Sequence, residues 1–289
     1  MLQRWLVAVI GLPLLLIVLL ACPPWATALL VCAIAGVAAY ELLHVAGQNV
    51  PKVVYALTIA VAAAQVWVVY LHAHAPGGGE AYLHLLGEAR TAELLFLPFA
   101  LLIALFLVAV VTYGKPNAMP FADVATAFVG GVAFPMMYAC ILLLRMKAEY
   151  GRLYILAPFF IAFAGDSLAM YFGMWFGKKK LTPVSPKKTW AGFWGGVLGS
   201  VLGMLLLRLI AGHWLGYHDP LTWLTFALTG AVANVFGQLG DLSMSLIKRE
   251  ADVKDYSHLF LTHGGMLDRF DSTMFIAPVV YFFHWMALI

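Results

Sequence analysis

DLSMSLIKREADVKDYSHLFLTHGGMLDRFD, residues 241–271, holds six of the fourteen acids and four of the seventeen basic residues of a 289-residue chain that is 63% apolar. It leaves one apolar run through Ser245, Lys248 and Arg249 and stops where the last apolar run begins. Asp241, Ser245 and Lys248 are spaced i, i+4, i+7, so a helix carries them on one face. Lys254 follows, then His263-Gly264-Gly265, and Asp268, Arg269 and Asp271 close the stretch. Carboxylates are the oxygen ligands a hard divalent cation prefers, while lysines, an arginine and glycine N–H groups suit a polyphosphate. A plain connector between two membrane helices has no need of acids at both ends, since charge near the hydrocarbon is costly.

Outside this stretch the chain is mainly apolar. Mean hydropathy is +0.91, which excludes the pair of soluble domains that length alone permits and predicts an all-α, polytopic membrane protein. Nine spans are expected, at roughly 5–20, 25–43, 53–71, 93–113, 123–144, 153–176, 191–211, 221–244 and 272–289. Twelve basic residues fall on the side of the N-terminus and five on the other, which predicts a cytoplasmic N-terminus by the positive-inside rule. The expected organisation is an N-terminal membrane region, 1–152, with five spans, and a catalytic membrane region, 153–289, with four spans and cytoplasmic loops at 177–190 and 245–271. Nothing in the composition suggests a nucleic-acid partner.

Two further places carry chemistry. Asp166 lies near the middle of the sixth expected span, where a carboxylate must be paired, hydrated or bound to a cation. Downstream, Ser185-Pro186-Lys187-Lys188-Thr189 offers two ammonium groups and two hydroxyls just before a helix begins, an arrangement suited to phosphate. Asn234, Gln238 and Asp241 punctuate the eighth expected span, and the seventh begins with glycines at 192, 195, 196 and 199 that permit close helix contact. Glu41 and His44 read as an interfacial pair closing the second span, and Asp123 as an acid favoured at a helix start.

With these motifs in hand, the chain resembles the phosphatidate cytidylyltransferases, or CDP-diacylglycerol synthases. Their signature is a serine before Lys-Arg, four residues, Lys-Asp, later His-Gly-Gly, and two residues on Asp-Arg-x-Asp. Here it is matched by Ser245, Lys248-Arg249, Lys254-Asp255, His263-Gly264-Gly265 and Asp268-Arg269-Phe270-Asp271. Gly165-Asp166-Ser167 and Ser185 to Trp190 match as well. The resemblance implies a Mg²⁺-dependent transfer from CTP to phosphatidate, giving CDP-diacylglycerol and pyrophosphate in phospholipid biosynthesis. It implies catalytic roles for Asp241, Asp268, Lys248, Arg249 and Asp166, with Asp241, Asp268 and Asp271 on the metal, and a second, monovalent cation such as K⁺ is compatible with it. Ser185, Lys187, Lys188, Thr189, Lys254, His263, Gly264, Gly265 and Arg269 are implied in holding CTP and the lipid phosphate. The implied setting is the inner membrane, with the active site facing the cytoplasm, membrane lipids as neighbours and a homodimer as a candidate assembly. The alternatives are another lipid phosphate as acceptor, or a CTP-dependent polyprenol kinase-like enzyme. Three positions depart from the pattern: Ala191 stands where the family usually has Glu, Asp252 where it has Gly, and Leu261 where it has Pro or a small residue.

Overall fold

A computed structural model of the chain describes residues 11–74, 90–147, 150–214, 216, 222–259 and 264–286. These are helical between turns and loops, with one isolated antiparallel bridge between Lys180 and Thr189, in line with the all-α expectation. In chain order the helices are α1 (Leu12–Leu16), α2 (Pro24–Ala46), α3 (Lys52–His74), α4 (Arg90–Thr112), α5 (Phe121–Phe128), α6 (Phe134–Arg145), α7 (Gly151–Tyr154), α8 (Ala157–Phe176), α9 (Trp190–Trp214), α10 (Trp223–Glu250) and α11 (Leu267–Met286). A π-helical turn, Val129–Ala133, joins α5 to α6. Pro135 explains it: proline has no N–H and its ring crowds the carbonyl four residues back, so the ladder widens and the N–H of Phe134 bonds the carbonyl of Val129 instead.

Among the described residues six helices are long and apolar enough to cross a membrane: Pro24–Ala46, Lys52–His74, Leu94–Thr112, Phe121–Arg145, Gly151–Phe176 and Trp190–His213. The expected count of nine is therefore corrected to six. Of the expected first span only the part from residue 11 is described, and it is the five-residue α1 followed by a π turn, Ile17–Ala21, before Pro23 and Pro24. The expected eighth span falls on α10, where Asn234, Gln238 and Asp241 dilute the apolar run. The expected ninth falls on α11, which opens with Asp268, Arg269 and Asp271 and carries Pro278 and His284 further on. Polar side chains at such intervals lower the mean hydropathy below that of a span. The cytoplasmic placement of the N-terminus belonged to the nine-span topology and loses that basis.

The chain divides into two compact units, Met1–Met146 with Glu250–Arg269, and Lys147–Arg249 with Phe270–Ile289. In the first, Leu43, Val54, Leu101, Leu105, Met119, Val124, Ala127 and Val132 form a buried core between α2, α3, α4 and α5. Asp123, fully buried, accepts the backbone N–H groups of Gln48 at 2.9 Å and Asn49 at 2.7 Å, so it fixes the turn between α2 and α3 in addition to opening α5. Of the six candidate spans, Leu94–Thr112 is the least buried, as expected of a helix facing lipid.

In the second unit α8 and α9 lie in close contact. A Cβ on Gly195 would stand 2.5 Å from that of Phe172, and one on Gly203 would stand 3.0 Å from the carbonyl of Phe160. The small-residue spacing of α9 thus lets the two backbones approach. Gly237 and Gly240 do the same for α10 against α11, with Ile276 and Phe275 occupying the space.

Candidate active site

The close approach of α8 and α9 leaves a cavity of about 530 Å³ in the second unit. Asp166, Ala169, Met170 and Gly173 line it from α8 at spacings of three and four, one helical face. Asn234, Gln238 and Asp241 line it from α10 by the same rule, and Gly192, Phe193 and Gly196 from α9. Lys187, Lys188 and Thr189 complete the wall from the connecting loop.

That loop has a definite shape. The N–H of Lys188 bonds the carbonyl of Ser185 at 3.0 Å, a β-turn with Pro186 at its second position, where the fixed φ of proline is suited. Leu181 N–H to the Lys188 carbonyl, at 3.0 Å, and Trp190 N–H to the Lys179 carbonyl, at 3.1 Å, close its base. Thr189 then caps α9, its Oγ1 accepting the N–H of Gly192 at 3.1 Å. The two lysines are held at a helix start, where the macrodipole also favours anions.

A directed line of hydrogen bonds fixes the floor of the cavity. Gln238 Nε2 donates to the Phe193 carbonyl at 3.1 Å and to Asn234 Oδ1 at 2.6 Å. Asn234 Nδ2 donates to Ser200 Oγ at 2.7 Å, and Ser200 Oγ to the Ile161 carbonyl at 2.8 Å. Asn234 and Ser200 are buried, and their satisfied bonds tie α10, α9 and α8 together. Gly165 makes room for them, since a Cβ there would overlap the Asn234 amide.

Charge is distributed around this floor. Lys188 Nζ stands 2.5 Å from Asp241 Oδ2, and Ser245 Oγ donates to Asp241 Oδ1 at 3.4 Å. Asp271, outside every candidate span, has its carboxyl pushed up to about 7 by burial, with the Asp241 charge adding to it. The Ser272 N–H, at 2.6 Å from Oδ1, and the Lys248 charge oppose that rise. Buried acids that repel one another favour a cation between them. Among the described residues no three acids, histidines or cysteines converge as a metal site. The donor set fits Mg²⁺ in the form in which Mg²⁺ is usually held, by one or two carboxylates with the remaining positions filled by water and substrate phosphate.

The remaining expected residues fall elsewhere. Ser185 lies in the turn but is not part of the cavity wall, and Arg249 is exposed at the end of α10. Lys254, Gly264, Gly265, Asp268 and Arg269 belong to the first unit, where Lys254 and Arg269 are exposed. His263 and Leu261 lie outside the described residues. Asp268 Oδ2 accepts the N–H groups of Tyr256 at 2.8 Å and Gly265 at 2.9 Å. Gly264 has φ +81°, a left-handed conformation that explains glycine there. A Cβ on Gly265 would run into the carboxyl of Glu41. Asp252, where the family usually has Gly, also has a positive φ, of 52°. Glu41 itself is buried and bonded to the signature segment, so the expected interfacial pairing with His44 is not its main contact; His44 stacks on Tyr40. Spacing within α2 held no signal for this, and an acid within an apolar run was the only hint. Ser200 was equally silent, a small residue among glycines.

Known proteins share this chain's pattern. A 33% identity over 182 residues, 63% of this chain, relates it to a phosphatidate cytidylyltransferase of Bacillus subtilis, of whose length 65% is spanned. A second, of Rickettsia prowazekii, is 30% identical over 164 residues, covering 56% of this chain and 72% of the relative. A third, of Synechocystis, is 41% identical over 133 residues, 46% of this chain and 43% of the relative. The chain thus spans less than two-thirds of the Bacillus and Synechocystis relatives. The profile of the Cytidylyltransferase family, by contrast, matches residues 2–287, taking in both the cavity of the second unit and the 254–269 loop of the first. With helices, phosphate-suited turn and signature loop all inside that match, the chain belongs to the cytidylyltransferase family.

Proposed function

We propose that the chain is a phosphatidate cytidylyltransferase, joining CTP and phosphatidate to give CDP-diacylglycerol and pyrophosphate. The observation that carries the reading is the cavity where Lys187 and Lys188 of a proline-stiffened turn meet Asp166 and Asp241 of two helices. Cations and carboxylates on one wall match a triphosphate with its metal, and the apolar faces around them suit a lipid acceptor.

A phosphate oxygen of phosphatidate attacks the α-phosphorus of CTP, and the bond from that phosphorus to the bridging oxygen of pyrophosphate breaks. The nucleophile is already anionic at neutral pH, so repulsion between anions and charge on the leaving group make the barrier. Lys187 and Lys188 neutralise phosphate oxygens, with the start of α9 assisting. Thr189 caps the helix and so keeps the lysines in register, and Ser185 holds the turn that presents them. Asp166 and Asp241, with Asp271 nearby, are the carboxylates proposed to hold Mg²⁺, which when bound supplies charge neutralisation at the triphosphate. Lys248 balances Asp271, and Arg249 offers a further cation at the end of α10.

In the first unit, Lys254, His263, Gly264, Gly265 and Arg269 are proposed to act on the nucleotide. Asp268 is proposed as a metal ligand through its carboxylate while its Oδ2 orders the loop. The chemistry is assigned to 153–289 and a membrane-embedding role to 1–152. We place the chain in the inner membrane with the cavity toward the cytoplasm, because the basic turn at 178–188 is rich in lysine and CTP is cytoplasmic. Purified full-length chain with Mg²⁺, phosphatidate and CTP labelled at the α-phosphate tests the reading. Label in the lipid fraction with release of pyrophosphate is expected. Label left wholly in CDP, with a phosphorylated lipid, would replace it with a kinase.

A further inference from the structure

Glu41 is 2% exposed in α2, and the cost of burying a carboxylate must be offset by donors. It has three, all from one segment distant in sequence. Oε1 accepts Ser257 Oγ–H at 2.6 Å and Met266 N–H at 2.9 Å, and Oε2 accepts Leu267 N–H at 2.8 Å. The last two are backbone donors at the start of α11, where a helix leaves N–H groups without intrahelical partners. The residues just before α11, Gly264-Gly265-Met266, offer no capping side chain, so the cap comes from another helix. Asp268 meanwhile joins Tyr256 to Gly265 through their N–H groups. Two carboxylates therefore fasten Tyr256 and Ser257 to Gly265, Met266 and Leu267.

We infer that Glu41 is a positioning residue for cytidylyl transfer, clamping Ser257 to the start of α11 so that the signature residues beside it, Gly264, Gly265 and Asp268, keep one arrangement. This rests on the function proposed above. A cap needed only for helix stability is commonly local, a Ser, Thr, Asp or Asn at the N-cap itself. A buried charged acceptor with two oxygens in use holds Ser257, Met266 and Leu267 in one arrangement, and Gly265 lacks a Cβ where that carboxyl sits. Glutamine has nearly the same shape but only one acceptor oxygen, and its amide N–H₂ would face a donor.

The test compares the parent with Glu41→Gln in full-length protein, by steady-state kinetics and by amide hydrogen exchange. Glu41→Gln is expected to lower kcat per folded molecule by about tenfold or more, since small misplacements of reacting groups are costly. The KM for phosphatidate should stay within about twofold. Exchange at Met266 and Leu267 should quicken by about tenfold, the size of one lost hydrogen bond. Ser257→Ala removes one donor and leaves both cap bonds, so it should shift both readouts the same way by less. It also serves if Glu41→Gln folds poorly. Unchanged exchange at 266–267, or unchanged kcat with only a lower Tm, overturns the inference. If the parent makes no CDP-lipid, the proposed function falls instead, and the exchange comparison alone then decides whether Glu41 is a clamp.

Discussion

Lys188 and Asp241 meet at 2.5 Å, joining the turn before α9 to the C-terminal half of α10 across the cavity. Both side chains are partly open to solvent, at 25% and 32% exposed, and a pair so placed contributes about 1 kcal/mol or less to stability. Its value is positional: the ammonium stands at the carboxylate proposed for the metal. Replacing Lys188 with Met is expected to leave the Tm nearly unchanged while raising the KM for CTP by about tenfold or more, the effect of losing a charge-assisted phosphate contact. Initial rates across a CTP titration measure it.

Asp241 faces that ammonium and the cavity. Asp241→Ala is expected to reduce turnover per folded molecule by at least ~10²-fold, the typical loss for one well-placed electrostatic group. Asp241→Asn, which keeps the shape and loses the charge, should be nearly as poor and should need more Mg²⁺. A Mg²⁺ titration of each variant beside the parent decides it. Near-parent turnover at the same Mg²⁺ requirement removes Asp241 from the metal.

The relay from Gln238 through Asn234 and Ser200 predicts a different pattern. Asn234→Leu would leave the Ser200 hydroxyl without its amide donor and Gln238 Nε2 without one acceptor. A buried polar group left unmatched costs about 1–3 kcal/mol, so stability and turnover should fall together. Thermal unfolding and activity on the same preparation show whether they do.

Asp252 holds a left-handed conformation at φ 52°. That geometry costs an ordinary residue roughly 1–2 kcal/mol, less for Asp, whose short polar side chain bonds locally. Asp252→Gly relieves the strain and adds roughly 0.5–1 kcal/mol of backbone entropy cost, so the net change should be small. Asp252→Val should destabilise by about 1–2 kcal/mol, the full left-handed cost for a side chain without local bonds. Matched unfolding curves for the three proteins give the order.

Charge against an apolar background made the second unit's wall readable in advance. Asp166, Lys187, Lys188 and Asp241 stand out in an apolar chain, and helical spacing put Asp241 and Asn234 on one face. The same logic overcounted spans, because α10 and α11 look apolar in outline while Asn234, Gln238 and Asp241 in one and Asp268, Arg269 and Asp271 in the other interrupt the run. What spacing could not reveal were contacts made across long separations. Glu41 has a histidine three residues away that offered a local explanation, and its real partners lie at 257, 266 and 267. Asp123 looked sufficient as a helix-start acid, and its bonds to the backbone at 48 and 49 depend on how α2, α3 and α5 pack.

The bonds from Glu41 to the signature loop also bear on how the gene can be divided. A cut between 152 and 153 looks natural in the sequence, yet it would separate a carboxylate from its partners at 257, 266 and 267. The C-terminal fragment expressed alone would carry every residue of the signature and still lack one of the two acids that shape it. A piece that keeps those bonds therefore includes α2, and a split version would need the first fragment to restore the cap on α11 in the second.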